Sequence, residues 1–363
     1  MPVIDAGRLI ENRVEAIRDY HAHCGIPKGS LDISGGIDSA VMAMLLVKAL
    51  GPENCIFDHT KISTNQEQTY RAQALCSALG VPLAVGNFTD IFHKIVAEVM
   101  GSLEVAYDET DIDIRSEIRK RMDEDPTIEG SIRSTLRAPL GRAYNRIMGG
   151  GIRHGTGNEC EDRFLRFYQK GGDGEVDTNP MAMLSKTEVY QLAYALGHQM
   201  GVYEALKPII KAKPSPDLWD NGDLHSDEYE FRITFNVPFT YGRIDPDTGE
   251  ITRIGTIERV SRFLDTEGLY PSGNVYSIEA ELFGEEGPSN WVAFVDKASY
   301  NDIFSGLDFG SVDEFLRAAR KAERQTRHKM NPNIPELGTR LDLIRAGILT
   351  NELPKVAEGK GNS

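Results

Sequence analysis

The sequence predicts an α/β protein with a doubly wound parallel sheet and a partly β carboxy-terminal addition. Three observations carry that prediction: short apolar runs alternate with helical ones over residues 8–88, a glycine-rich loop joins the first such strand to its helix, and the pattern becomes strand-like and turn-rich beyond residue 213. Such alternation argues for parallel strands covered by helices, with ligands received beyond the carboxyl ends of the strands.

Residues 8–24 space their apolar side chains as a helix does, "SLDIS" (30–34) reads as a strand, and "SAVMAMLLVKAL" (39–50) reads as a helix stopped by Gly51. "NCIFDH" is the next strand, "NQEQTYRAQALCSALG" the next helix with Gly80 as its stop, and "PLAVGNF" a third strand, which completes βαβαβ. From 104 to 126 charge dominates, as expected of a solvated helix or a mobile lid. A helix resumes at "IRSTLRAPLGRAYNRIM", strained at Pro139. "IRHGTGNECEDRFLRFYQKGGDGEVDTNP" sets two glycine-rich segments around a helix, and "SKTEVYQLAYALG" is a helix whose Ser185 and Glu188 are spaced as a capping box. "FNVPFTYGRIDPDTGEITRIGTIERV" reads as a hairpin turning at Asp245-Pro246-Asp247-Thr248-Gly249. "VDEFLRAARKAERQTRHK" reads as a basic amphipathic helix, and "EGKGNS" as a disordered tail.

Composition narrows the function. With 40% hydrophobic and 26% charged residues, and no apolar run of membrane length, the chain falls in the soluble globular class with no membrane partner. Its start mixes charge with apolar spacing and lacks the apolar core of a signal peptide, so a cytoplasmic protein is expected. Forty basic against 55 acidic side chains give a formal charge of -15, which repels phosphate backbones and argues against nucleic acid as a partner. Cys24, Cys55, Cys76 and Cys160 form no CxxC pair and have no histidine at zinc-finger spacing, so neither a structural metal nor a redox pair is signalled.

The loop Ser34-Gly35-Gly36-Ile37-Asp38-Ser39 has the chemistry of an anion cradle. Two glycines permit positive φ and close backbone approach, two serines add hydroxyls, and the new helix offers unpaired N–H groups at its positive end. No Gly-Lys-Ser/Thr follows at Walker spacing, so γ-phosphate transfer of that kind is not implied. Asp38 could instead hold a Mg²⁺ that neutralises a departing pyrophosphate.

The order Ser-Gly-Gly-x-Asp-Ser resembles the pyrophosphate loop of the N-type ATP pyrophosphatases, which activate a substrate oxygen with AMP. "GTGNECE" (155–161), "KGGDGEVDTNP" (170–180), "SKTEV" (185–189) with "KPSPDLW" (213–219), and "RHK" (327–329) then look like the successive motifs of NAD synthetase, in the same order. The resemblance to that family covers most of 8–220 and again about 312–335. It implies an adenine nucleotide alpha hydrolase-like fold, ATP and Mg²⁺ as cofactors, and a homodimer. It also implies ATP contacts at Ser34, Gly35, Gly36, Asp38, Ser39, Thr156, Lys186 and Ser215, with Mg²⁺ on Asp38 and Glu161. Lys170, Asp177 and the His328-Lys329 pair would contact deamido-NAD or close over it. The residue types agree with those roles: two carboxylates are a sparse set that Mg²⁺ completes with phosphate oxygens and water, and lysines supply point charges for an anionic nucleotide. The implied reaction adenylates a carboxylate, first choice nicotinic acid adenine dinucleotide, and ammonia displaces AMP, with Asp38, Glu161 and Lys186 as the catalytic groups.

An ATP-pyrophosphatase core over 1–220 is therefore expected, with an insertion of unassigned role over 221–311 and a basic helix with a substrate-closing tail over 312–363. Relatives carry a helix segment Asn-x-x-Ala-Arg-x-Arg-Met whose first arginine touches the dinucleotide. Here "SIRSTLRAP" places Thr135 at that arginine and Arg137 at the second, with Arg133 as the candidate replacement, although a shift of two along a helix points to another face. Arg71 stands where an acid is customary. These departures favour, as an alternative, a relative acting on another carboxylate. A nucleotide-binding regulatory protein without turnover is a third reading, against which the joint retention of Asp38, Glu161 and Lys186 argues. About thirty residues precede the loop, too few for a glutaminase domain, so ammonia is expected to come free or from a separate glutaminase.

Overall fold

The computed structural model describes residues 3, 5–108, 112–125, 127–215, 226–264, 310–326, 329 and 334–350. His328, the Pro216–Trp219 part of "KPSPDLW" and the "EGKGNS" tail lie outside the described residues.

Helix α1 (Ala6–Cys24) is capped by the Asp5 carboxylate on the Arg8 N–H, ends at a left-handed Gly25, and buries Leu9, Ile10, Val14 and Ile17. Strands β1 (Gly29–Asp32), β2 (Cys55–Lys61) and β3 (Leu83–Asn87) alternate with α2 (Ile37–Leu50) and α3 (Gln66–Leu79) in the predicted order. Strand β4 (Ile152–Arg153) then returns to the free side of β1, giving a parallel sheet ordered β3-β2-β1-β4. The winding direction reverses between β1 and β4, and the carboxyl ends of those two strands form a topological switch point, where open α/β sheets receive ligands. Helix α2 is buried from Ser39 to Leu46, as a helix apolar on all sides must be, and packs with α1 and with α7 (Lys186–Met200).

Three helices separate β3 from β4. The sequence reading does not single out α4 (Thr89–Ala106), and the reason is physical: it buries only Phe92, so its apolar residues do not form a core-facing stripe. Helix α5 (Ile114–Glu124) occupies the charged stretch and buries nothing. Helix α6 (Thr127–Ile147) runs through Pro139, with Pro139 and the Thr135 carbonyl it would strand both on the solvent side.

After β4 comes a π-helical segment, Glu159–Leu165, started by Asn158, whose side chain accepts the N–H groups of Cys160 and Glu161. The predicted capping box of Ser185 and Glu188 opens α7. The remaining elements are α8 (Tyr203–Lys211), α9 (Asp227–Phe235), an antiparallel hairpin of β5 (Arg243–Ile244) and β6 (Ile251–Arg253), α10 (Thr256–Leu264), α11 (Val312–Thr326) and α12 (Arg340–Arg345). The hairpin turns where the sequence places it: Asp245 accepts from the Asp247 and Thr248 N–H groups, and Gly249 takes φ +73°. That hairpin is the β content of the addition among the described residues.

Two apolar cores result. The larger one lies around α1, α2 and α7. The smaller joins Cys160, Phe164 and Leu165 of the π-helix to Phe231 of α9, Phe239 and Tyr241 before the hairpin, Ile257 of α10 and Phe315 of α11. The segment that carries Glu161 is therefore held in place by residues from far down the chain. No helix of the described residues is long and apolar enough to cross a membrane.

Candidate active site

The loop between β1 and α2 is tightly built. Gly35 sits at φ +81°, and a Cβ there would lie 2.3 Å from the Gln68 carbonyl oxygen, so no other residue fits. Arg71, the departure noted above, donates from Nε to the Gly35 carbonyl at 3.1 Å and buttresses the loop from α3. The Ser34 hydroxyl accepts the Gly36 N–H at 3.2 Å and lies 3.0 Å from the Ser39 hydroxyl, which donates to the Gly36 carbonyl. The open N-terminus of α2 points its positive end at the same space.

Across the switch point, the Asn158 side-chain amide donates to Asp38 Oδ1 at 3.0 Å and ties the two loops together. Lys186, 2% exposed, donates from Nζ to Asp38 Oδ2 at 2.6 Å and to Glu161 Oε1 at 2.8 Å. Three predicted residues from three segments thus meet around one ammonium group. Burial pushes the Asp38 carboxyl up, and the adjacent Lys186 opposes that shift. Burial alone would pull Lys186 down, but Asp38 and Glu161 together hold it well above the usual lysine value, so it stays charged. Tyr241 donates its phenol proton to Glu161 Oε1 at 2.8 Å and sets its ring 4.7 Å from Lys186 Nζ. Burial and then Glu161 push that phenol well up, which keeps it a donor.

A cavity of about 400 Å³ opens on this cluster. Of the predicted residues, Ser34, Gly36, Asp38, Thr156, Glu161, Lys186, Ser215, Arg137 and Lys329 line it. Gly35 and Ser39 lie in the same loop, outside the lining. Lys329 donates from Nζ to the Tyr168 carbonyl at 2.7 Å, and burial pulls its pKa down.

Three of the residues expected to meet the substrate are placed elsewhere. Arg133 is 1% exposed, with its guanidinium 5.2 Å over the Phe92 ring and 3.4 Å from Glu129. It lies about 100° round α6 from Ser134, which does line the cavity, so the expectation that Arg133 replaces the missing arginine is corrected. Asp177 accepts from Arg142 Nη1 at 2.9 and 3.0 Å and from the Arg153 N–H at 2.8 Å, and so braces β4 rather than the cavity. Lys170 is exposed and outside the lining.

The sequence reading also passes over residues that the structure puts at the site. Asn158 lies inside the quoted "GTGNECE", and its position as a helix N-cap is a local signal that could have found it. Asp227, 8% exposed, lines the cavity, with its carboxyl pushed well up by burial against the pull of Lys186. Tyr241 comes from 80 positions beyond Glu161, and no local pattern marks it.

The donor set fits Mg²⁺. Asp38 and Glu161 already converge on a single cationic nitrogen, and hard carboxylate oxygens at that spacing suit a small divalent ion that fills its other positions with phosphate and water. No group of three or more histidine, cysteine or acidic side chains able to hold a metal is present among the described residues.

A switch-point phosphate loop facing two carboxylates and a buried lysine defines an α/β nucleotide-binding protein of the ATP-pyrophosphatase class. The sequence profile of NAD synthase matches residues 9–245, and the chain belongs to that family. It is 31% identical over 214 residues to the NH(3)-dependent NAD(+) synthetase of Methanococcoides burtonii, covering 59% of this chain and 70% of the relative. With that of Pyrococcus horikoshii it shares 32% identity over 238 residues, or 65% of this chain and 77% of the relative. Among solved structures, an NMN synthetase from Francisella tularensis shares the fold with a TM-score of 0.57 and 19% identity, covering 90% of this chain and 97% of that one. A glutamine-dependent NAD(+) synthetase from Cytophaga hutchinsonii aligns with a TM-score of 0.51 and 12% identity, over 86% of this chain and 47% of that one.

Proposed function

We propose that the chain is an ammonia-dependent ligase that adenylates nicotinic acid adenine dinucleotide with ATP and transfers ammonia to it, giving NAD, AMP and pyrophosphate. The observation that carries this reading is the convergence of Asp38, Glu161 and Lys186 beside the Ser34–Ser39 loop at the switch point. The relatives named above are NH(3)-dependent NAD(+) synthetases, and the chain spans 70% and 77% of their lengths.

In mechanism, the loop N–H groups and serine hydroxyls receive the phosphates, and Asn158 fixes the Asp38 carboxylate toward them. Mg²⁺ on Asp38 and Glu161 would supply the charge that stabilises the leaving pyrophosphate. Lys186, held in place from α7, is then free to turn one of its protons from a carboxylate to a phosphate oxygen. The substrate carboxylate attacks the α-phosphorus, and ammonia then displaces AMP from the acyl-adenylate. Preorganised charge carries most of the rate. With deamido-NAD, ammonium and Mg²⁺, ATP should yield NAD, AMP and pyrophosphate; accumulation of ADP and phosphate would refute adenylation.

A second reading, amidation of another carboxylate, is favoured by α6. The Thr135 hydroxyl donates to its own helix at the Ser131 carbonyl and Arg133 is turned away, which leaves Arg137 as the cavity-lining cation of that segment. A lost charge-assisted phosphate contact costs about 1.5–3 kcal/mol. A kcat/KM for deamido-NAD of about 10⁴ M⁻¹s⁻¹ or more would exclude this second reading.

We also place the enzyme in the cytoplasm and as a homodimer. Ile91, Val99, Leu103 and Val105 of α4 are all 38% or more exposed, and a second copy of the chain is the partner that would cover them.

A further inference from the structure

A second cavity, of about 280 Å³, lies between α1 and the segment that enters α12, and no residue lines both it and the catalytic cavity. Arg13 of α1 lines it and is 3% exposed. Asn12 Oδ1 accepts from Arg13 Nε at 3.1 Å and from Nη2 at 2.6 Å, while Nη1 donates to the Pro180 carbonyl at 3.1 Å and contacts Met183 Sδ at 3.3 Å. Four contacts for the five N–H groups of a guanidinium leave one Nη2 hydrogen without an acceptor among the described residues. No carboxylate of those residues pairs with Arg13, and burial, with nothing to offset it, pulls its pKa from 12.5 down to about 10. Gly338 lines the same cavity at φ +126°, and a Cβ there would lie 3.1 Å from Arg13 Nη2, so the glycine keeps a side chain off the edge of the guanidinium.

A buried cation without a counter-ion is strongly unfavourable, so this guanidinium is a place made for an anion that arrives through the cavity. The planar fork of an arginine matches a carboxylate. The remainder of the lining has the opposite sign: Glu15 and Asp19 of α1 and Asp342 of α12 are exposed there. A pure anion meets three carboxylates on its way to Arg13, and a pure cation leaves Arg13 unpaired. A molecule complementary to both carries a carboxylate at one end and ammonium groups beyond it. A volume just under the range of drug-sized pockets suits a ligand that small.

We propose that the cleft between α1 and α12 binds a free amino acid, with its carboxylate on Arg13 and its ammonium groups against Glu15, Asp19 and Asp342. Three carboxylates against one guanidinium favour side chains that add positive charge, so L-lysine binds more tightly than L-glutamine, and L-glutamine more tightly than L-glutamate. The two walls of the cleft hold one segment from opposite sides. Arg13 grips Pro180 and Met183, and Arg340, next to Thr339 of the lining, donates to the Met183 carbonyl at 3.2 Å and to Glu188. Lys186 lies within that segment, so a ligand that bridges α1 and α12 steadies the residues on which the catalytic lysine is mounted.

The test is titration calorimetry of the full chain with L-lysine, L-glutamine and L-glutamate, and with acetate and methylamine as the separate halves of the ligand. The amino acids should bind in the stated order, and each half should bind at least about tenfold more weakly than L-lysine. Arg13→Gln should weaken L-lysine at least about tenfold. Because Arg13 also holds the Pro180 segment, Ala16→Leu, which fills the cavity and removes no charge, is the second variant and should weaken it as much. Glu15→Gln combined with Asp19→Asn should weaken L-lysine about 2- to 10-fold and narrow its advantage over L-glutamate. No heat with any amino acid at millimolar concentration, or equal affinity for acetate and L-lysine, would overturn the proposal. So would unaltered L-lysine binding in Ala16→Leu, or its full displacement by a non-hydrolysable ATP analogue, which would assign the ligand to the catalytic cavity.

Discussion

Replacing Lys186 by methionine keeps the length of the side chain and removes the charge that Asp38 and Glu161 share. The structure sets the magnitude. Two charge-assisted hydrogen bonds of 2.6 and 2.8 Å are lost, each of a kind contributing about 1.5–3 kcal/mol. The two carboxylates are left facing one another at 16% and 18% side-chain exposure, so water relieves only part of the repulsion. Removing one partner from a buried ion pair costs about 3–5 kcal/mol, and the partial exposure places Lys186→Met near the lower figure.

The assay is urea unfolding of wild type and Lys186→Met, each in EDTA and in saturating Mg²⁺. In EDTA the variant should be less stable by about 3 kcal/mol. Mg²⁺ should stabilise the variant more than the wild type, because in the wild type the metal has to displace a lysine that already sits between its ligands. A variant within about 1 kcal/mol of wild type in EDTA would mean that the buried triad is not a strong interaction. A Mg²⁺ effect no larger in the variant would show that the two carboxylates are not a shared cation site.

Tyr241→Phe removes the donor on Glu161 Oε1 but keeps the ring beside Lys186, and should lower turnover about 10- to 100-fold with a weakened response to Mg²⁺; unchanged titrations of both would remove Tyr241 from the site. His154 should make the fold acid-sensitive. His21 Nδ1 donates to the Ile26 carbonyl, so its Nε2 accepts from His154 Nε2 at 2.9 Å, and burial drives His154 from 6.5 to about 3. A depressed histidine contributes stability that is present above pH 6.5 and is lost as pH falls toward 3, amounting to about 3 kcal/mol by about pH 4, whereas His154→Gln should flatten that slope in pH-dependent urea unfolding; an equal slope in both would refute the assignment. Sedimentation should give a dimer for wild type and a monomer for Val99→Glu combined with Leu103→Glu, whereas dimers of both would place the contact elsewhere.

What was legible in the sequence was local or strongly periodic. The βαβαβ order, the Ser34–Ser39 loop, the Ser185/Glu188 capping box and the Asp245–Gly249 turn are each encoded within a few residues, and each stands in the structure. The α4 helix was not legible, because its apolar residues do not face the core whose periodicity marks a buried helix. Arg133 was misplaced because spacing along a helix does not say which way the helix is rolled, and α6 turns Ser131, Ser134 and Ala138 toward the cavity instead. Asp58 stands in "NCIFDH" as a letter, but only the register of β1 with β2 sets it beside Asp32.

The first turn of α7 concentrates the difference between what is local and what is not. Ser185 and Glu188 cap each other, which the sequence announces. Glu188 is also gripped by Arg340 of α12, 152 positions away, through two hydrogen bonds of 2.7 and 2.6 Å. Thr187 donates its N–H and its hydroxyl to Glu258 of α10, 71 positions away, and Lys186 itself spans to Asp38, 148 positions back. Lys186, Thr187 and Glu188 are therefore each held by a different distant segment of the chain, and Lys186 has little freedom except at its tip. A lysine held this way spends little conformational entropy on reaching a phosphate, which is what electrostatic preorganisation requires. Two described residues of the 221–311 stretch thus support the charged cluster: Glu258 anchors the backbone beside Lys186, and Tyr241 orients Glu161.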